Sequence, residues 1–269
     1  MKIGIIGIGT MGSSIASAIV DKKVVLPKEI YLIDKISKKA EEVSKKLGTN
    51  FISKLEEIPK ECNIIIIAVK PRDIWSLLRN LAKSLTSDHL LISIVAGIHT
   101  SEIEKIVGRI PVVRVMPNHC LLLASSASAY SLGKYADEHH SRIVEEIFSK
   151  MGLVVKVDER EMDVVTGLSG CGPAYFYLVI ESLADGAVKM GLDKKTALKL
   201  AAQTAIGAGK MVIELGLHPS ILKDTVATPG GATIRGLHIL ESHGVRSAFI
   251  EAVESASLRS KELRSLHKS

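Results

Sequence analysis

The chain has 269 residues, 46% of them apolar and 24% charged, with a net charge of +6. That is enough length and apolar content for one large or two modest folded domains, and it excludes an intrinsically disordered chain. The nearest approach to a membrane helix, PAYFYLVIESLADGAVKMG, carries Glu181 and Asp185 and falls short of the roughly 18–20 uninterrupted apolar residues a span needs.

The positive charge is compatible with nucleic acid, but its densest segment, DKISKKAEEVSKK, sets Glu41 and Glu42 among its lysines at helical spacing. No basic strip is interleaved with base-stacking aromatics. A solvated helix face explains the run, and a modest positive field suits small anionic ligands equally well. Met1 leads straight into the apolar KIGIIGIG with no basic n-region or cleavage site, so no secretory signal is expected. The three cysteines, Cys62, Cys120 and Cys171, are odd in number and scattered, which argues against both a disulfide framework and a metal cluster. The expectation is a cytoplasmic protein with no metal, no membrane and no nucleic-acid partner.

Along the chain, KIGIIGI reads as a buried strand and MGSSIASAIV as a helix, followed by EIYLID as a strand and KKAEEVSKKLG as a helix. CNIIIIAV, DIWSLLRNLAKSL, HLLISIVAG, TSEIEKIVG, IPVVRVMP and GLVVKVDE continue the alternation. Strands built of Ile and Val without polar alternation are buried on both faces, as in a parallel sheet covered by helices. The fold class is therefore α/β, with a Rossmann-like doubly wound parallel sheet over residues 1–158. From Met162 onward no strand is expected, only helices near 173–191, 194–216, 219–226, 232–243 and 245–267. The second of these is full of Ala and Gly, which lets helices approach closely, as at a subunit interface. The change of class near 157–162 sets off an all-α C-terminal domain over residues 159–269.

Two ends of the chain carry chemistry. Gly7-Ile8-Gly9-Thr10-Met11-Gly12 follows the first strand directly from Ile6 and opens the first helix, the context in which G-x-G-x-x-G binds a dinucleotide. Gly7 makes the tight turn, Gly9 removes a Cβ that would block the pyrophosphate, and Gly12 lets helix and strand pack closely. The helix N-terminus then offers its free N–H groups to the phosphates. Asp34, 22 positions after Gly12, ends the second strand where an acid grips the ribose hydroxyls. A carboxylate there repels a 2′-phosphate and favours NADH, whereas Lys35, Lys38 and Lys39 beside it would pair with one. Use of either NADPH or NADH follows, with the preference open. Ala68-Val69-Lys70-Pro71 and, in SIVAG, Ala96-Gly97 end the next strands at the carboxyl edge where open α/β sheets bind ligands. Lys70 reads either as a solvated strand-end lysine or, as part of that edge, as a cofactor contact.

In ATPGGATIRG, Pro229 fixes φ, Gly230 and Gly231 let the backbone come close to a ligand, and Ala232 and Thr233 begin a helix whose first amides are unpaired. That is a cradle for a small carboxylate, or an ordinary glycine turn at a helix start. TGLSGCGPAY, Thr166 to Tyr175, is a second glycine- and hydroxyl-rich helix start. Two such starts in one helical domain point to a pocket built from backbone amides.

The segments GIGTMG, AVKP, VTGLSGCGPAY, LADGAVKMGL, LKDTVATPGGATI and GVRSAFIEAVESASLRSKEL, in this order and over almost the whole chain, resemble the pyrroline-5-carboxylate reductase family. The resemblance implies hydride transfer from NAD(P)H to C5 of a cyclic imine, giving L-proline, and an intertwined homodimer, often assembled into a decamer, with the active site between subunits. It implies that Thr233 is the catalytic hydroxyl nearest the imine nitrogen and that Gly230, Gly231, Ala232 and Thr233 bind the substrate, the last three holding its carboxylate by their amides. Glu159 matches a substrate-site carboxylate of the family; by its own neighbours in VDERE it is a surface acid. Ile6, Thr10, Met11, Asn118 and Thr225 join the cofactor contacts. The chain departs from the family pattern at His119-Cys120 after MPN, at Cys171 and Thr228 where serine is usual, and at Thr225 where asparagine is common. Two other readings fit parts of the sequence. A related imine or 3-hydroxyacid dehydrogenase would want a lysine near the start of the first interdomain helix, where Lys189 does not lie. A non-catalytic NAD(P) sensor would have no need of the PGGAT cradle.

Overall fold

The computed structural model describes the backbone of residues 1–266 and the side chains of residues 1–263. His267, the expected last residue of the final helix, and the end of the 159–269 segment lie outside the described residues. The chain forms two compact units, Met1–Gly170 together with the chain from Ser255 on, and Cys171–Glu254.

The first unit is an eight-stranded sheet in the order β3-β2-β1-β4-β5-β6-β7-β8. Its strands are β1 (Ile3–Ile6), β2 (Ile30–Ile33), β3 (Asn50–Phe51), β4 (Ile64–Ile67), β5 (Leu90–Ser93), β6 (Val112–Met116), β7 (Ser126–Leu132) and β8 (Gly152–Lys156). Its helices are α1 (Thr10–Asp21), α2 (Ser37–Leu47), α3 (Ile58–Glu61), α4 (Ile74–Leu81), α5 (Thr100–Val107), α6 (Glu138–Phe148) and α7 (Met162–Val165). Successive side chains of a strand point to opposite faces, and the isoleucines divide accordingly. Ile3, Ile5, Ile64 and Ile66 pack with Ile15 and Ile19 of α1 and Phe148 of α6. Ile6, Ile65 and Ile67 pack with Ile74 and Leu78 of α4 and Ile103 of α5 on the other face. Both faces of the sheet are thus covered, as the unbroken apolar strands require.

The sheet is parallel except where β7 runs antiparallel to β6; β8 is parallel to β7. β7 and α6 are absent from the sequence-based reading, and composition explains why. SASAYSL has no aliphatic run, and its burial is made possible by hydrogen bonding. The Ser126 and Ser128 hydroxyls lie 2.9 Å apart, and the buried Tyr130 hydroxyl meets Ser141 Oγ at 2.5 Å and donates to Glu145 Oε1 at 2.6 Å on α6. Asp137 caps α6 by accepting from the amides of His139 and His140.

The second unit consists of α8 (Gly172–Lys189), α9 (Lys194–Leu215), α10 (Pro219–Val226), α11 (Ala232–Ser242) and the first part of α12 (Val245–Leu266). Apart from the end of α12, which runs to the last described residue, these bounds lie within two residues of the helices expected from sequence. Pro173 stands in the first turn of α8, Asp193 caps α9 by accepting from the Thr196 amide at 2.8 Å, and Gly216 ends α9 in the left-handed region. Among the described residues its buried cluster is three alanines, Ala184, Ala197 and Ala201, where α8 and α9 pack. No helix among the described residues is long and apolar enough to cross a membrane.

Candidate functional site

The glycine loop sits where β1 meets α1. Gly7 takes φ +97°, a left-handed conformation that favours glycine, and its amide donates to the Ile33 carbonyl at 2.9 Å. A Cβ at Gly7 would come within 2.7 Å of the Ala68 carbonyl oxygen, and one at Gly12 would overlap the Gly7 carbonyl oxygen. A Cβ at Gly9, by contrast, would meet nothing within 4 Å. Gly7 and Gly12 are therefore glycine because the protein crowds them, whereas the face above Gly9 is open to solvent. No side chain caps α1, so the amides of Thr10, Met11 and Gly12 open a bare helix start beside Gly9. The loop has the shape and the donors to take a pyrophosphate.

Asp34 follows β2, and its carboxylate does two local jobs. Oδ2 accepts from the Ile8 amide at 2.7 Å, and Oδ1 accepts from the Ile36 amide at 2.8 Å. An ionised carboxylate accepts about four hydrogen bonds, so lone pairs remain for a ribose. Lys35 Nζ lies 3.0 Å from Asp73 Oδ2, a residue that sequence reasoning did not single out. Ala68 and Val69 are half-buried and Lys70 is exposed beyond β4, with Pro71 beginning the short turn that leads into α4. Ala96 is exposed and Gly97 buried with φ +75° beyond β5. These segments share the carboxyl edge of the parallel strands with Ile6 and the glycine loop.

Asn118 and Glu159 belong to the same unit, in more enclosed places. Asn118 is 8% exposed. Its Oδ1 accepts from the Cys120 amide and its Nδ2 donates to the Ser169 carbonyl, each at 3.0 Å, tying the end of β6 to the π-helical turn Thr166–Gly170. A Cβ at Gly170 would come within 2.8 Å of Met116 Cε, the flexible tip of the last residue of β6. Glu159 is not a free surface acid. Its Oε1 accepts from the Thr100 amide at 2.7 Å and its Oε2 from Thr100 Oγ1 at 2.6 Å, which places a carboxylate on the first turn of α5. Arg114 Nη1 lies 3.8 Å from Glu159 Oε1, and Arg114 is fully buried between its strand partners Ser93 and Ser131, whose small side chains leave room for a guanidinium. Thr100 and Arg114 were missed from sequence, although an arginine inside the apolar VVRVM was a readable signal.

In the second unit, Gly230 takes φ +70° and the Gly231 amide donates to the Thr228 carbonyl at 3.0 Å. A Cβ at Gly231 would overlap the Thr228 hydroxyl as it is now turned and come within 3.2 Å of the Thr228 carbonyl oxygen. Gly231 then opens α11 with no side-chain cap, leaving the amides of Ala232 and Thr233 at a second bare helix start. Thr225, in the same unit, turns its hydroxyl back to the Leu222 carbonyl at 2.7 Å. Burial first and the neighbouring Cys171 second push the Tyr175 phenol upward from its ordinary pKa. Among the described residues no cluster of His, Cys, Asp and Glu could hold a metal.

Comparison with known proteins falls on the same two parts of the chain. A family model for pyrroline-5-carboxylate reductase dimerisation matches residues 159–263, and one for coenzyme F420-dependent NADP oxidoreductases matches residues 2–97. The pyrroline-5-carboxylate reductase of Methanosarcina acetivorans is 46% identical over 263 residues, covering 97% of each chain. The crystal structure of the Plasmodium falciparum pyrroline carboxylate reductase with NADP bound superposes with a TM-score of 0.86 at 34% identity, covering 98% of each chain. That of the Coxiella burnetii pyrroline-5-carboxylate reductase gives a TM-score of 0.91 at 31% identity, covering 97% of this chain and 98% of the other.

Proposed function

Because this chain belongs to the pyrroline-5-carboxylate reductase family, we propose that it reduces the C=N bond of 1-pyrroline-5-carboxylate to give L-proline, the last step of proline synthesis, with NADPH or NADH as reductant. The observation that carries the reading is the pair of glycine-built, uncapped helix starts, one at Gly7–Gly12 and one at Gly230–Thr233. One suits a pyrophosphate and the other a small carboxylate. The hydroxyacid dehydrogenase alternative wants a lysine at the start of α8, and Lys189 is the last residue of that helix.

When bound, the reduced nicotinamide supplies the hydride. This chain's residues bind and orient. In our reading the amides of Thr10, Met11 and Gly12 hold the pyrophosphate, and Asp34 fixes the loop while keeping lone pairs for the ribose. Ile6, Lys35, the 68–71 and 96–97 segments, Asn118 and Thr225 complete the cofactor contacts. Gly230 shapes the second turn, and the amides of Gly231, Ala232 and Thr233 take the substrate carboxylate. Reduction of an imine is easier when its nitrogen is protonated, and the Thr233 hydroxyl, both donor and acceptor, holds that N–H through an oxygen lone pair. The proton comes from solvent and stays on nitrogen as the imine carbon, which becomes C5 of proline, receives the hydride. Glu159 adds a carboxylate near the substrate, held in place by Thr100 and Arg114.

We assign residues 1–158 to the dinucleotide and 159–269 to substrate binding and dimerisation. The chain is a homo-oligomer built through its dimerisation segment. An intertwined dimer with the active site between subunits, a decamer of such dimers and a cytoplasmic location complete the proposal.

The test is loss of reduced-nicotinamide absorbance with pyrroline-5-carboxylate, run with the parent chain and with Thr233→Ala. Loss of one hydrogen bond to the reacting group should lower kcat about 10- to 100-fold, while dinucleotide affinity stays within about twofold because Thr233 serves the substrate. A collapse of cofactor binding alongside turnover would overturn the role given to Thr233, and imine-independent oxidation would overturn the substrate.

A further inference from the structure

The ion pair between Lys35 and Asp73 joins the two loops that flank the glycine loop. β2 and β4 lie on either side of β1, so they stand two strand spacings apart, about 9.6 Å. Lys35 is two residues beyond the end of β2 and Asp73 six beyond the end of β4, yet their charged atoms are 3.0 Å apart. The bridge therefore reaches across the carboxyl edge of β1, where the Gly7–Gly12 segment leaves the strand.

Asp73 stands where the short turn Pro71–Asp73 runs directly into α4, with a helical backbone (φ −95°, ψ −10°) and no side-chain bond to the first amides of the helix. Its carboxylate faces Lys35 instead. Asp34 is held differently, because the Ile8 and Ile36 amides anchor both of its oxygens. Its charge is a fixed part of the loop, whereas Lys35, 65% exposed on a long flexible stem, is a cation that can exchange partners.

We propose that Asp73 is a specificity-determining residue for the cofactor, acting as an internal competitor for Lys35. A dinucleotide bearing a 2′-phosphate would need Lys35 and would have to draw it from the Asp73 carboxylate. A dinucleotide with a plain 2′-hydroxyl leaves the ion pair closed. Asp73 thereby narrows the advantage that Lys35 gives to 2′-phosphorylated dinucleotides, so that both cofactor forms are used. This rests on the dinucleotide reading of the glycine loop.

The experiment uses the full chain and three variants: Asp73→Ser, which removes the charge and keeps a small polar side chain, Lys35→Gln, and the two combined. KM and kcat are measured with NADPH and with NADH, and the affinity of each is measured by nicotinamide fluorescence without the imine. Asp73→Ser should lower KM for NADPH about fivefold, the scale of one exposed charge pair, with kcat and the NADH values within about twofold. Lys35→Gln should raise KM for NADPH about five- to tenfold. In the Lys35→Gln background the Asp73→Ser change should have no effect on NADPH, because the competitor has lost its target. A merely structural role for Asp73 would move both cofactors together and would persist without Lys35. An NADPH-to-NADH ratio unchanged in Asp73→Ser, with dinucleotide binding intact, overturns the proposal. A parent chain that binds neither dinucleotide overturns the cofactor reading itself, and the proposal with it.

Discussion

The two units solve the burial problem in opposite ways. The sheet unit encloses a large core within one chain: isoleucines and leucines of β1, β4 and β5 lie buried on both faces beneath α1, α4, α5 and α6. The helical unit does not. Its described core is three alanines, while Phe176 and Leu178 are each 62% exposed, Ile213 73% and Ile250 62%. An apolar surface on this scale marks an interface rather than a solvent face. The difference teaches that a dinucleotide module can be finished by one chain, whereas the helical module is finished by a second copy laid against it.

The largest expected effect comes from breaking the unfinished half. Leu178→Glu combined with Ile213→Glu puts two carboxylates into each copy's share of the interface, and two-fold symmetry doubles the number. Burying unpaired charge costs several kcal/mol per site, so dimer affinity should fall by at least about 1,000-fold, read as a drop to monomer mass in light scattering. Turnover should be lost with it, and dinucleotide binding by the sheet unit should remain. A dimer that survives both charges would show that these two helices do not form the interface.

Gly12→Val strikes the finished half instead. The added Cβ would overlap the Gly7 carbonyl oxygen, and a close backbone neighbour cannot yield as a flexible side chain would. The loop must shift away from its Ile33 and Asp34 partners, and dinucleotide affinity should fall about 100-fold by titration, in keeping with the geometric tolerance of such sites. The oligomer mass should not change. If assembly failed along with cofactor binding, the two units would not be separable in the way their cores indicate.

How much of this could be read beforehand follows the same division. Strands such as IIII announce themselves because burial on both faces leaves no room for polar residues. The helices of the second unit were legible to within two residues, since Pro173, Asp193, Gly216 and the PGG turn mark their ends. β7 was not legible, because SASAYSL has no aliphatic run and its burial depends on Ser126 and Ser128 pairing with each other and on Tyr130 finding Ser141 and Glu145 on α6. The same holds at the site. The glycine loop and the PGG turn are local motifs; the first is readable from its place between a strand and a helix, and the second reads from its own residues either as a carboxylate cradle or as an ordinary turn. That Glu159 would clamp Thr100 beside a buried Arg114, or that Asp73 would reach Lys35, depends on pairs 59 and 38 residues apart, which no local pattern encodes.

The smallest effect sharpens the comparison from inside the finished core. Burial, followed by the Glu145 carboxylate, pushes the Tyr130 phenol from 10.0 up to about 12. Tyr130→Phe keeps the ring but leaves Ser141 and Glu145 without their shared partner, which should cost about 1–2 kcal/mol at neutral pH and leave oligomer mass unchanged. The sign of the pH dependence follows from the upward shift. The folded state favours the protonated phenol, so the tyrosine's contribution is fully present below pH 10 and is lost as pH rises through about 12. Thermal unfolding of the parent and of Tyr130→Phe should therefore differ by a constant gap up to about pH 10 and converge above it. Cys62, whose thiol burial likewise raises to about 12, is present in both chains and cancels in the difference. A gap that stays constant through pH 12 would mean that the buried hydroxyl resists ionisation no more than it does in the unfolded chain, since the ring is present in both chains and cancels in the difference.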